Sequence, residues 1–379
     1  MQIYYIANSR MPTIKAYGLQ IVKTCEAFTE IGMDVELIIP KRHRYPDTGN
    51  TNILEYYGVV TPFKITEINS PDLIDINLGP FLNKIIFWIQ QLYFGYSLKK
   101  YLADKKGIIY SRDQFSLSLL SQNDCKLFWE AHNFPKNIKS EFYHKILSKI
   151  SGLVVISEGL KRDFTSYYDG SIVVAPDGVD VAKFDVTISK EESRKKLNLS
   201  LDKKIAIYTG HLYPWKGADI LYLVSKLLDF NEMILVVGGT KKDVEKFKMR
   251  IPPELSEKIN VVGHISHNLV PYYLKAADCA ILTGKKTEPI SDKYTSPLKM
   301  FEYMAARCPI VAQNLPSFRE ILNGENSILV ESDNPLALTE GIKRLFEDKI
   351  LAHSITEKAF EQVQNFTWEK RAKNISQSL

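Results

Sequence analysis

Three features of the sequence predict an α/β fold of two Rossmann-like parallel-sheet domains. Short apolar runs alternate with segments of helical periodicity from the first residues onward: 2–7 read as a strand, 17–30 as a helix and 34–40 as a strand, the β-α-β order that implies a parallel sheet. The alternation restarts in the second half, after the turn Pro176-Asp177-Gly178. A chain of 379 residues is also too long for one typical core. Two such halves facing each other place the expected ligand site in a cleft between carboxyl-terminal strand edges.

Composition narrows the class. Hydrophobic residues at 45% and charged residues at 25% are ordinary for a soluble globular protein. The net charge of +5, without basic blocks interleaved with aromatics, does not call for nucleic acid. It supports a mild attraction to phosphate-bearing substrates or anionic lipid and no more. Cys25, Cys125, Cys279 and Cys308 stand singly, without CxxC spacing, and read as small buried hydrophobes of a reducing compartment. The first residues form a short apolar run with no basic region before it, which reads as a strand and not a signal peptide. No stretch approaches about 18 consecutive apolar residues. The expectation is a cytoplasmic protein, work at the inner face of the membrane included.

In chain order, Gly18 stands at the start of the first helix, where a missing side chain allows a phosphate or sugar close approach or serves loop geometry. No GxGxxG follows the first strand, which counts against a dehydrogenase. Residues 81–102 are long, aromatic and closed by lysines. They suit an amphipathic helix on a membrane surface, but apolar residues around most of the circumference favour a helix packed against a sheet and a neighbouring helix. Strands are expected at 107–110 and 126–129. Ser111, Arg112 and Asp113 end the first of these and are acceptor-side candidates; His132 follows the second, at a strand end where open parallel sheets bind ligands, although a lone histidine is more often structural. Strands at 153–157 and 172–175 complete a first domain, residues 1–184. A second domain, 185–352, carries strands at 204–208, 233–237, 259–262 and 279–283 with helices from Gly217, Lys241 and Leu269. Residues 353–379 form a closing helix. The HxxH of His264 and His267 lacks a helix to align the two rings and a third ligand, so no metal is expected there.

The stretch 294–321, YTSPLKMFEYMAARCPIVAQNLPSFREI, is the most informative. Ser296-Pro297 reads as a helix start, with the serine as cap and proline in the first turn. Leu298, Phe301, Met304 and Ala305 keep helical spacing, 308–312 reads as a strand, and Ser317 with Glu320 forms a capping box. Lys299 breaks the local rule, because the positive end of a helix dipole disfavours a cation. An anionic ligand at that helix end accounts for it; so does a lysine simply reaching solvent. Glu302 stands four residues after Leu298, about one turn deeper on the same flank. A phosphate at the helix end with a hydroxyl-bearing sugar beside the carboxylate describes a nucleotide.

SPLKMFEYMA followed by CPIVAQNLPSFREIL resembles the donor-site signature of the large GT-B family of retaining, nucleotide-sugar-dependent glycosyltransferases, family 4. The resemblance implies that Glu302 holds the ribose. It implies a second glutamate eight positions earlier, on the donor sugar, where this chain has Tyr294; Glu288 in TEPISDKYTS is the candidate replacement. The segment 209–217, TGHLYPWKG, resembles the family's diphosphate loop. Gly210 and Lys216 match it, and His211 stands where an arginine is usual. By the same resemblance His132 faces the donor sugar, the backbone at His264 and Ile265 holds the base, and FTWEKRA begins the helix that crosses back onto the first domain.

The function this implies is transfer of a sugar from a nucleoside diphosphate to an acceptor hydroxyl with retention of configuration. Lys216, Lys299 and the helix end at Ser296 to Leu298 would stabilise the departing diphosphate without a metal or other cofactor. No carboxylate pair of the double-displacement type flanks the site. Family habit points to a saccharide or lipid-linked saccharide acceptor in surface polysaccharide or glycolipid assembly. A sugar-nucleotide epimerase of the same fold and a non-catalytic nucleotide-sugar sensor are the alternatives.

Overall fold

The computed structural model describes residues 1–43, 48, 49, 51–73, 79–120 and 125–379. The chain forms two compact units: Met1–Pro176 together with Trp368–Leu379, and Asp177–Thr367. In the first unit seven parallel strands run β1 (Gln2–Ile6), β2 (Asp34–Pro40), β3 (Lys64–Ile68), β4 (Gly107–Ser111), β5 (Cys125–Ala131), β6 (Gly152–Val155) and β7 (Ile172–Val174), in the spatial order β3-β2-β1-β4-β5-β6-β7. In the second, β8 (Lys204–Thr209), β9 (Glu232–Val237), β10 (Ile259–Gly263), β11 (Cys279–Leu282), β12 (Ile310–Gln313) and β13 (Ile328–Val330) are ordered β10-β9-β8-β11-β12-β13, again all parallel. Strand order reverses between β1 and β4 and between β8 and β11, and such switch points are where doubly wound sheets bind ligands.

The continuous apolar strands follow from burial on both faces. On β8, Ile205 and Ile207 enter the core on one side of the sheet while Ala206 and Tyr208 enter the core on the other. All four cysteines are free and buried. Two strands have no counterpart in the sequence reading, β3 (KITEI) and β13 (ILV). Both lie at sheet edges; two of the five residues of β3 are charged, and β13 is only three residues long.

Several expectations need correction. The first unit ends at Pro176, not at 184, because the following residues pack into the second unit: Val179 and Phe184 are part of its core, and Val179 N–H donates to Phe366 O at 2.9 Å. The second unit extends to Thr367, not 352, since the helix Lys349–Val363 contributes Ala359 and Val363 to that same core. Only the helix Trp368–Ser376 joins the first unit. Gly217 does not open a helix. It sits at φ +66° after the 3-10 turn Pro214–Lys216, a Cβ there would lie 2.5 Å from Gly284 O, and the helix proper is Ile220–Leu227. Ser317 is not a cap either: its helix, Pro316–Arg319, follows Leu315, and the serine hydroxyl donates to Ser291 O at 2.6 Å. Finally, the helix Pro80–Tyr101 is not packed all round. Gln90, Phe94 and Leu98 are buried, whereas Phe81, Ile85, Trp88, Leu92 and Tyr96 stand exposed.

Candidate functional site

The switch point of the second unit collects the most distinctive chemistry. Beyond β8 the backbone turns at Gly210, with φ +117°. A Cβ on the neighbouring Gly238 would lie 2.5 Å from Gly210 O, so the two turns are packed backbone to backbone. A Cβ on Gly210 itself would meet only two groups within 4 Å, Lys216 Nζ and Lys299 Cδ, each at 3.9 Å. Two cations some eighty residues apart therefore converge on the one face of this turn that has no side chain.

Their supports are local and specific. Thr283, just past β11, donates its hydroxyl to Lys216 O at 2.7 Å. The helix Leu298–Ala305 is fixed to the end of β8 by Tyr303, whose buried hydroxyl accepts from Thr209 N at 2.9 Å and from Thr209 Oγ1 at 3.1 Å. Lys299 is 7% exposed, its Nζ has no hydrogen-bond partner, and it lies 3.8 Å from the centre of the Tyr208 ring. Burial and then the neighbouring Lys216 push Lys299 well below the ordinary lysine range, against the pull of Glu302. Burial likewise lowers Lys216 to about 8, again opposed by Glu302. Two desolvated ammonium groups without a hydrogen-bonding carboxylate are an arrangement an anion relieves.

The start of that helix adds to the field. Ser296 is not its cap: the N-cap is Pro297, without a side-chain hydrogen bond, and the Ser296 hydroxyl accepts instead from Asp177 N at 3.1 Å. Proline before Leu298 removes one N–H but leaves those of the first turn uncapped, and no acidic residue lies there. A positive helix end and Lys299 thus point the same way. Pro297 and Leu298 are half-buried.

Glu302, 8% exposed, accepts from His267 Nε2 at 2.8 Å, and His267 Nδ1 lies 3.2 Å from Lys183 Nζ. An ammonium only donates, so Nδ1 is the acceptor and Nε2 carries the proton given to Glu302. Both ring nitrogens are engaged in this way, and among the described residues no cluster suited to a metal occurs. His267 and Lys183 were not singled out as site residues by sequence. No motif joins positions 183, 267 and 302, which meet only in the fold. His264 is exposed and Ile265 half-buried on the loop after β10, whose Gly263 O accepts from Gly238 N at 2.7 Å. His211 is buried, with its ring stacked on Tyr213 at 4.9 Å. Tyr294 is buried and Glu288 exposed, and Asp292 Oδ1 between them is buried without a hydrogen-bond partner.

In the first unit, Glu130 is the centre of a buried network. Its Oε1 accepts from Arg371 Nη2 at 2.8 Å, Gln20 Nε2 at 2.6 Å and His132 Nε2 at 2.5 Å, and its Oε2 from the Tyr110 hydroxyl at 2.5 Å. Burial alone would raise this carboxyl, but Arg371, His132 and Arg112 hold it far below the carboxylate range. His132 is pushed down to about 4 by burial and Arg112, against the pull of Glu130. It is therefore a neutral imidazole at neutral pH, donating through Nε2 and keeping the Nδ1 lone pair. Arg112 donates to Gln20 Oε1 at 2.8 Å. Ser111 and Asp113 hold local structure, the first donating to Ile6 O and the second capping the helix Gln114–Leu119. Gly18 has a steric reason that sequence did not show: a Cβ there would lie 2.1 Å from the Tyr57 hydroxyl, which is bonded to Thr13 N and O.

Two doubly wound units of this topology define the GT-B fold, and solved structures bear this out across nearly the whole chain. Sucrose-phosphate synthase from Thermosynechococcus elongatus superposes with a TM-score of 0.78 at 18% identity, covering 99% of this chain and 97% of that one. HepE of Anabaena, solved with UDP and glucose, gives 0.77 at 16% identity, covering 100% and 99%. Residues 189–362, nearly all of the second unit, match the family model described as glycosyl transferases group 1. Among curated relatives, the putative teichuronic acid biosynthesis glycosyltransferase TuaC of Bacillus subtilis is 25% identical over 250 residues, 64% of this chain and 59% of its own length. An uncharacterized glycosyltransferase of Methanocaldococcus jannaschii is 27% identical over 281 residues, 70% of this chain and 69% of its own.

Proposed function

We propose that the protein transfers a sugar from a nucleoside diphosphate to an acceptor hydroxyl, with retention at the sugar carbon and without a metal. The observation that carries this reading is the convergence of Lys216 and Lys299 on Gly210, beside an uncapped helix start. Charge on a departing diphosphate grows toward the transition state, and fixed cations in a desolvated site favour that state over the ground state. Glu302, buried at 8% exposure and oriented by His267, is the ribose partner. His132 presents a neutral acceptor nitrogen to the donor sugar, and the base lies against the backbone at His264 and Ile265. Arg112 serves the acceptor side. The acceptor attacks from the face the diphosphate leaves, and the phosphate takes its proton. For the missing first glutamate, the buried unpartnered oxygen of Asp292 competes with the exposed Glu288.

TuaC is named for teichuronic acid biosynthesis, and several matched relatives are D-inositol 3-phosphate glycosyltransferases. These support a saccharide, polyol or lipid-linked saccharide acceptor in surface-polymer or glycolipid assembly. Incubation with a panel of nucleoside-diphosphate sugars tests the proposal. Slow release of free nucleoside diphosphate, unchanged by EDTA, is expected. Isomerised donor would indicate an epimerase and binding without turnover a sensor. Activity abolished by EDTA and restored by magnesium or manganese would overturn the metal-free mechanism.

A further inference from the structure

We propose that the exposed face of the helix Pro80–Tyr101 docks on the surface of an anionic membrane. At about 100° per residue, Phe81, Ile85, Trp88, Leu92 and Tyr96 fall on one side of this helix. They are 76%, 41%, 45%, 53% and 72% exposed. Leu82, Ile89 and Tyr93 widen the same stripe and are exposed as well. The opposite side holds the helix to its unit, with Gln90, Phe94 and Leu98 buried, and so does one edge of the stripe, where Leu119 would lie 2.2 Å from a Cβ added to Gly95 and Trp88 meets Phe115 edge-on at 5.4 Å. Single exposed apolar residues need no explanation, but a contiguous stripe of them marks an interaction surface.

The charges identify the occupant. The helix has no aspartate or glutamate, and its charged residues, Lys84, Lys99 and Lys100, are all exposed. Lys99 and Lys100 close the apolar stripe at its carboxyl end, on the same face as Phe81 and Leu82. Phe, Trp and Tyr beside lysines suit the boundary of headgroups and acyl chains, where rings bury an apolar body and lysines reach anionic phosphates. A second copy of this chain fits less well, because pairing two such faces in either direction sets lysine against lysine with no carboxylate to separate them. The helix lies on the surface rather than through it, since no helix among the described residues is long and apolar enough to cross a membrane.

This surface belongs to the first unit and does not depend on the donor-site reading, although it suits a lipid-linked acceptor. Sedimentation with vesicles tests it. The protein should bind phosphatidylglycerol vesicles, bind phosphatidylcholine vesicles far less, and lose binding as salt rises. The double variant Leu92→Glu, Tyr96→Glu changes two exposed positions, so it should keep its melting temperature and its thermal shift with nucleoside diphosphate. Its vesicle binding should fall at least about tenfold. Absence of binding by the folded wild-type protein would overturn the proposal, as would binding that the double variant leaves intact. So would a wild-type dimer that the double variant dissociates, which would assign the face to a second copy. The thermal shift reads the donor site separately, so failure of one reading is not mistaken for failure of the other.

Discussion

At the scale of single residues the strongest prediction concerns Lys216 and Lys299. Both are desolvated near Gly210 and both are shifted downward, Lys216 to about 8. In the unliganded protein the unfolded chain holds these protons to higher pH than the folded one does. Lys216 therefore makes stability rise with pH between about 8 and the ordinary lysine value near 10.4, and Lys299 acts in the same direction. A bound diphosphate reverses the balance by holding the protons on, so its affinity should fall as pH climbs above about 8, with a limiting slope of about one decade per pH unit for each proton taken up. Calorimetric titration at pH 7, 8 and 9 checks this, and affinity that stays constant across the series refutes it. Each lysine changed to alanine should cost turnover by about 2.7 to 4 kcal/mol, more than it costs binding. The double variant should miss additivity by at least about 0.5 kcal/mol, because the two share a partner. Strictly additive losses would separate them. Glu302→Gln should weaken nucleotide binding by roughly 1 to 3 kcal/mol, and unchanged affinity in a folded variant would remove it from the site. Lys299 and Glu302 drew notice in the sequence from their places at a helix start, and Lys216 only through the resemblance of 209–217 to a diphosphate loop. His267 and Lys183 drew none: their meaning is a tautomer fixed by partners 35 and 84 residues away, and no local spacing records that.

At the scale of elements, helical and strand periods were legible wherever a central strand or a one-sided helix repeats its apolar residues, and misleading where that premise failed. Residues 80–101 are apolar around the helix, which in a water-soluble setting argues for burial on every side. One side is indeed buried, against Leu119 and its surroundings, but the other is not. Periodicity reports where apolar residues are, not what covers them. The helix Leu298–Ala305 shows the converse. Its existence was plain, while its anchoring was hidden, because Ser296 bonds to Asp177 and the fixing contact comes from Tyr303 at the far end. Tyr303→Phe keeps the shape of this fully buried ring and deletes the acceptor for Thr209 N–H. A buried donor left unsatisfied costs about 1–3 kcal/mol, so urea denaturation should show a loss of that size. The variant should also turn over more slowly, since Lys299 rides on the loosened helix. A variant as stable as wild type would mean that Thr209 finds another partner, and the helix would not depend on this contact.

At the scale of the whole molecule, the chain completes the first sheet, builds the second unit, and then returns its last helix to the first. The resemblance of FTWEKRA to a returning helix was legible in sequence, whereas the buried charge on that helix and its partners were not. Arg371 is 5% exposed and donates to Glu130, Thr24 Oγ1 and Pro176 O, so one side chain joins β5, the first helix and the residue at which the chain leaves the first unit. Glu130 is fully buried and anionic because of these donors. Removing one partner of a buried pair leaves the other charge uncompensated, at a cost of about 3–5 kcal/mol, whereas replacing both by groups of similar size is often nearly neutral. Arg371→Ala should therefore destabilise the first unit by about that amount. Glu130→Gln combined with Arg371→Met should recover much of the loss. The acid side of the stability profile carries the same signature. His132 is depressed to about 4, so between there and its ordinary value near 6.5 the unfolded chain binds the extra proton and stability falls as pH falls. Glu130 adds its own loss further down, as pH drops below the ordinary carboxylate range toward its depressed folded value. In the double variant the Glu130 part of that acid sensitivity should vanish. If Arg371→Ala instead melts with the wild type while the helix Trp368–Ser376 stays protected in hydrogen exchange, apolar contacts through Ala372 and Ile375 hold the returning helix, and the Glu130 network is positioned by the fold without supporting it.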